Sequence, residues 1–170
     1  MDYGEPLTRI LGIDPGLATG FAIYNLDTLK VEYVNETANG IYGFKPVYKE
    51  LIGTAFNNPY GIKYGSCEKF TLRASNKFTA DLHGVEIIGW LKGEDQWGKH
   101  NPEPSQHMTL TRLREKKDKY QDSVITHMMK DAGFKIGKGH TRMALSVAVW
   151  YAAMRLKHMP TLELLKPKDA

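Results

Sequence analysis

Apolar positions first cluster into short runs and later recur at helical spacing. Residues 10–13 read Ile-Leu-Gly-Ile and are closed by Asp14, Pro15 and Gly16. A run of this length between turn formers predicts a buried strand over residues 8–14. Apolar residues return at 20–24, so Gly16 and Gly20 bracket a hairpin loop longer than two residues. After a turn at 25–28, the stretch 29–34 predicts a third, antiparallel strand with Leu29, Val31 and Tyr33 on one face. Pro46 fits the first turn of a helix running to about residue 56, with Val47, Leu51, Ile52 and Phe56 as its apolar face. A loop at 57–65 overlaps the start of a fourth strand over 63–70, which contains Glu68.

From Ala74 the spacing becomes helical. Ser75 is the cap, and Phe78, Leu82, Val85, Ile88 and Leu91 follow up to Gly93. Residues 94–104 are polar and loop-like, and 105–110 predict a fifth strand. A helix over 119–132 closes at Gly133, and a last helix starts at Gly139 or His140 and runs to His158, with Pro160 ending it. Residues 1–7 and 160–170 are expected to be loose termini of a single domain spanning 1–170. This order predicts an α/β fold, a five-stranded mixed sheet with helices on both faces.

Composition narrows the function classes. The chain has 170 residues, 42% hydrophobic and 25% charged, ordinary values for a soluble globular protein. No apolar run is long enough for a membrane span, and the N-terminus lacks a signal-peptide pattern, so the expected location is cytoplasmic and no membrane partner is expected. A single cysteine, Cys67, excludes an internal disulfide framework. The net charge of +4 favours a polyanionic partner. Lys and Arg concentrate between Glu68 and the last helix, at Arg73, Lys77, Lys92, Arg112, Arg114, Lys116, Lys117 and Lys119.

The chemistry begins at Asp14. A carboxylate between two hydrophobic strands is costly to bury unless it is paired or holds a metal. The segment ILGIDPGLATG resembles the first strand and turn of RuvC-type Holliday junction resolvases, in the RNase H-like superfamily. SCEKF resembles the family's second acidic strand, with Glu68 as the acid, and GHTRMALSVAVWYA resembles its last helix. The resemblance spans Thr8 to about Leu156 and implies an RNase H-like fold and a homodimer acting on four-way and branched DNA. It also implies catalysis with two Mg²⁺ or Mn²⁺ ions per site, held by Asp14, Glu68 and His140. His140 is further placed to help deprotonate the attacking water.

The chain departs from the pattern at one position. Three residues after His140, where the family supplies Asp, it carries Met143, whose thioether is a poor ligand for a hard cation. Asp131 and Glu94 are the acids that could replace it. The resemblance implies DNA contacts through Arg73, Lys77, Arg112, Arg114, Lys116, Lys117 and Lys119, and base stacking by Phe70 or Phe78. Two expectations result: a structure-selective junction endonuclease, or a non-catalytic or weakly active branched-DNA binder that keeps the fold and lacks one ligand. An actin-like ATPase also opens on such a strand-turn-strand, but 170 residues are too few for its two lobes.

Overall fold

The structure is a computed structural model, which describes residues 8–53, 59–68, 82–94, 108–111, 119–136 and 139–166. Three antiparallel strands come first: β1 (Arg9–Asp14), β2 (Thr19–Asn25) and β3 (Lys30–Thr37). Helix α1 (Ile41–Ile52) leads to β4 (Ile62–Glu68), which lies parallel to β1. Then follow α2 (His83–Glu94), β5 (Met108–Thr111), α3 (Lys119–Asp131), α4 (His140–Met154) and α5 (Met159–Leu165). The sheet order is β3-β2-β1-β4-β5, with β5 parallel to β4. This is a mixed α/β sheet.

Alternation along the strands divides the core. Leu11, Ile13, Phe21 and Ile23 point to one face, where α1 and α2 cover them. Phe44 stacks on Phe21 and Tyr48 there, at centroid distances of 5.6 and 5.2 Å, and Trp90 meets both Phe44 and Tyr48 edge-on. Ile10, Ala22 and Tyr24 point to the other face, against α3, α4 and α5. That core is rich in alanine: Ala144, Ala148, Ala152 and Ala153 are all fully buried on α4. A register shift between Arg9 and Ile10, opposite Lys63, lets Ile62 face α1 although Tyr64 faces α4.

Three expectations need correction. Helix α1 starts at Ile41, ahead of Pro46, which lies inside it. Gly40 turns the chain with φ 55° and donates its N–H to the carbonyl of Leu17, so the helix is launched from the β1–β2 turn. The last helix ends at Met154, not His158; Lys157 reverses the chain with φ 54°, and Pro160 lies in the first turn of α5, where a missing N–H costs nothing. The stretch read as a tail therefore contains a helix, with Thr161 and Leu165 buried. Of the helix expected over 75–93, the described part is His83–Glu94.

Candidate active site

The site forms where β1 and β4 end. Their parallel ladder pairs Ile13 with Cys67, and Asp14 and Glu68 are the next and last residues of their strands. Asp14 shares a face with Ile10 and Gly12, and Glu68 with Tyr64 and Ser66, which is the face that α4 covers. Both carboxylates therefore rise toward the same helix from neighbouring strands. Cys67 lies between them on the opposite face, fully buried. Burial pushes its thiol well above the ordinary range, and the charges of Asp14 and Glu68 push it further.

Two glycines seat α4. A Cβ on Gly12 would fall 2.0 Å from the carbonyl oxygen of Ala144, and one on Gly20 would fall 2.1 Å from that of His140. No side chain fits at either place, so the helix backbone rests directly on β1 and β2. Gly20 is the hairpin partner of Asp14, so this seating brings the first residue of α4 over the end of β1. The turn between the strands is closed by Thr19, whose hydroxyl donates to the carbonyl of Gly16 at 3.1 Å.

The consequence is a direct contact. His140 Nδ1 lies 3.0 Å from Asp14 Oδ2. A carboxylate can only accept, so the ring nitrogen carries the proton and donates it. The positive end of the helix dipole also favours a carboxylate here. The Asp14 side chain is 14% exposed and that of His140 38% exposed, so the pair reaches the surface rather than lying in the core.

Met143 is one turn further along α4 and half-buried. Arg142, on the same turn, donates to Asp122 of α3 at 2.6 Å. This clamp between α3 and the start of α4 was missed from sequence, since its partners are 20 residues apart and share no spacing signal. Among the described residues, no group of three His, Cys, Asp or Glu side chains converges as a ready-made metal cage. The Asp14–His140 contact is a hydrogen bond, so His140 Nδ1 would have to give up its proton to ligate an ion. Mg²⁺ commonly takes one or two carboxylates and completes its shell with water and substrate phosphate.

Other predicted residues fall elsewhere. Asp131 is exposed, lies 3.2 Å from His127, and borders a groove with Thr28 and Lys30 at the far end of the sheet, so it does not replace the missing acid. Glu94 ends α2, with its side chain outside the described residues. Arg73, Lys77, Arg112, Arg114, Lys116, Lys117, Phe70 and Phe78 also lie outside them, and Lys119 is described only as the first residue of α3. On α2, Ile87, Ile88 and Leu91 are buried and Trp90 packs on Phe44 and Tyr48, while Val85 is exposed.

No protein-family model matches the chain, and no curated protein matches it. Solved structures do. The chain is similar to Thermus thermophilus RuvC in complex with Holliday junction substrate, at 14% identity and a TM-score of 0.48, over 86% of this chain and 96% of that one. A second structure of Thermus thermophilus RuvC gives 15% identity and a TM-score of 0.46 over the same shares. The fowlpox virus Holliday junction resolvase gives 14% identity and a TM-score of 0.45, over 91% of this chain and 99% of that one.

Proposed function

We propose that this chain is a structure-selective endonuclease that cuts Holliday junctions and other branched DNA by metal-dependent phosphodiester hydrolysis. The observation that carries this reading is the meeting of Asp14 and His140 at 3.0 Å, beside the strand end that bears Glu68. Two carboxylates on neighbouring strand ends and an imidazole at the first residue of α4 are residue types that bind a hard divalent ion. Asp14, Glu68 and His140 would hold Mg²⁺ or Mn²⁺. A bound ion of this kind polarises a phosphoryl oxygen and makes water nucleophilic at neutral pH.

The chain's own residues supply the rest. Gly12 and Gly20 hold α4 close enough for His140 to orient Asp14, and the Arg142–Asp122 clamp fixes the same helical turn. The basic residues Arg73, Lys77, Arg112, Arg114, Lys116, Lys117 and Lys119 would contact DNA phosphates, giving affinity that falls with salt. In this reading the enzyme is a cytoplasmic homodimer of single-domain subunits, each cutting one of two opposed strands. A sedimentation mass of one chain at micromolar concentration would count against the dimer.

Met143 favours the second reading, a branched-DNA binder with weak or no activity. One assay separates them: incubation of synthetic four-way and branched DNA with the chain, in Mg²⁺ and in Mn²⁺. The endonuclease reading expects paired nicks near the branch point that require the ion. Salt-sensitive binding to four-way DNA without nicks in either ion would select the binder.

A further inference from the structure

We infer that the outer stripe of α1 is a DNA-contact surface that tells branched from linear DNA. Tyr42 stacks on a base exposed at the branch point, and Lys45 and Lys49 meet the adjoining phosphates. The inference rests on the branched-DNA reading for its partner and on α1 for everything else.

The sheet sets the placement. Asp14 pairs with Gly20 and Thr19 with Thr37, so β3 finishes at the end of the sheet where Asp14 stands. The chain then passes the β1–β2 turn, where the Gly40 N–H donates to the Leu17 carbonyl at 2.9 Å. Leu17 is three residues from Asp14, so Tyr42 opens α1 at the same sheet end as the candidate site. Tyr42 is 84% exposed and Leu17 53% exposed. Leu82 and Val85, at the start of α2, are exposed as well. That start abuts the same place, since a Cβ on Gly40 would fall 2.5 Å from His83 Nδ1. Scattered exposed apolar residues need no explanation, but apolar residues gathered in one place mark an interaction surface.

Charge decides the partner. Tyr42, Lys45 and Lys49 are three and four positions apart, so they share one side of α1, away from the buried Ile41, Phe44 and Tyr48. Lys45 Nζ lies 5.3 Å over the Trp90 ring, which holds it on the α2 flank, and Lys49 is exposed. Glu50 stands on the β3 flank, where its charge adds to burial in raising the Tyr33 phenol. The open ring therefore has cations beside it, with the acid turned the other way. A ring that stacks on a base, next to cations that hold the backbone, is the combination that binds unpaired nucleotides. A second copy seated here by twofold symmetry would bring these lysines toward their own duplicates. In linear duplex the bases are stacked on each other and offer the ring nothing. At a branch point they are open to it, so Tyr42 adds affinity only there.

Binding of labelled four-way and linear duplex DNA, followed by fluorescence anisotropy in EDTA so that no strand is cut, tests this. Tyr42→Ala should bind four-way DNA about tenfold more weakly and linear duplex within about twofold of native, and Tyr42→Phe should match native on both. Lys45→Gln combined with Lys49→Gln should weaken both DNAs alike, and the slope of log affinity against log salt should shrink by about one per lysine. 2-Aminopurine at the branch point, whose fluorescence is quenched by stacking, should brighten when Tyr42→Ala replaces the native chain. Circular dichroism confirms that each variant is folded. An equal loss on both DNAs in Tyr42→Ala, or no loss on either, would overturn the inference. So would an unchanged salt slope in the lysine pair, or a changed sedimentation mass in Tyr42→Ala, which would make the patch a contact between copies. Parallel cleavage of four-way DNA in Mg²⁺ separates the two proposals. Branch-selective loss in Tyr42→Ala without native cleavage sinks the nuclease reading alone, and native cleavage with binding indifferent to Tyr42 sinks this inference alone.

Discussion

The two ends of the sheet treat charge in opposite ways. At the end near Arg9 and Asn25, opposite charges and complementary dipoles meet. Arg9 donates to Glu32, Asn25 Nδ2 donates to the same carboxylate at 2.7 Å, and the Thr8 N–H donates to Asp27 at 2.7 Å. Asn25 Oδ1 also accepts the N–H groups of Asp27 and Thr28. At the other end, two carboxylates finish adjacent parallel strands, and the neighbour of Asp14 is an imidazole. Like charges on neighbouring strand positions destabilise a sheet. The Cys67 thiol between them is raised by burial first and then by the charges of both acids. One end of the sheet is finished by an ion pair and amide dipoles, and at the other the Asp14 carboxylate is met by the His140 ring.

The largest expected effect comes from removing one of the crowded acids. Asp14→Asn keeps an oxygen to accept the His140 proton but loses the anionic ligand. Even outer-shell partners of a metal site are worth roughly 10–100-fold, so cleavage should fall by more than about 100-fold. In the proposed reading binding to four-way DNA rests on basic residues, so it should be retained. The thermal midpoint should rise, because one of two like charges is gone. Native cutting rates in this variant would exclude Asp14 from the metal centre, and a lowered midpoint would contradict the electrostatic contrast between the ends.

Next in size is Gly20→Ala. Its Cβ would meet the His140 carbonyl at 2.1 Å, and backbone cannot yield as a side chain tip can. Overpacking of this kind costs about 1–3 kcal/mol, read by chemical denaturation. The start of α4 must also shift, so cleavage should fall further than the stability loss explains. A native cleavage rate with native stability would show that the helix is not seated as described.

The strand run at residues 10–13 and the position of Asp14 were readable because short-range pattern determines them. A buried apolar run ends where a carboxylate and a turn begin. The same held for α3, whose expected and observed spans differ by one residue at its end. What pattern could not show is where the elements touch. Gly12 reads only as part of an apolar run, and Gly20 as a bracket of the hairpin loop, until α4 is placed over them. Pro46 and Pro160 misled for a related reason. Pro46 lies inside α1, whose start is set by Gly40 on Leu17, and Pro160 opens α5, whose Thr161 is buried; local sequence shows neither contact. The acid at Glu68 could be aligned with Asp14 only through the β1–β4 register, a long-range pairing that no local spacing encodes.

A smaller effect belongs to the self-satisfied end. Tyr24 is fully buried, and its hydroxyl lies 3.0 Å from that of Thr161, which also lies 2.8 Å from His158 Nδ1. Burial raises the Tyr24 phenol above its ordinary range despite the Thr161 bond, so it stays neutral. Tyr24→Phe should cost about 1 kcal/mol, the net worth of one hydrogen bond, with cleavage unchanged. A loss of cleavage beyond that expected from unfolding would mean that the two ends are coupled.

The smallest effect is the most diagnostic of how the far end is held. Burial alone would raise the Glu32 carboxyl, but hydrogen bonds from Arg9 and Asn25 outweigh it and hold the group below its ordinary value. A lowered folded-state value means that Glu32 contributes stability above the ordinary glutamate range. As the pH falls, the unfolded chain takes up the proton first, so this contribution shrinks, and it is gone once the folded carboxyl is also protonated. The Arg9–Glu32 pair is partly exposed, with side chains 22% and 33% accessible, so screening limits its worth to about 0.2–1 kcal/mol. Glu32→Gln should therefore lower the denaturation midpoint slightly at pH 7, and the gap from the native chain should close on acidification. Cleavage at pH 7 should be untouched, since the Arg9–Glu32 pair stands at the other end of β1 from Asp14. A gap that persists unchanged into acid would show that Glu32 acts by packing, and that the contrast between the two ends is not electrostatic.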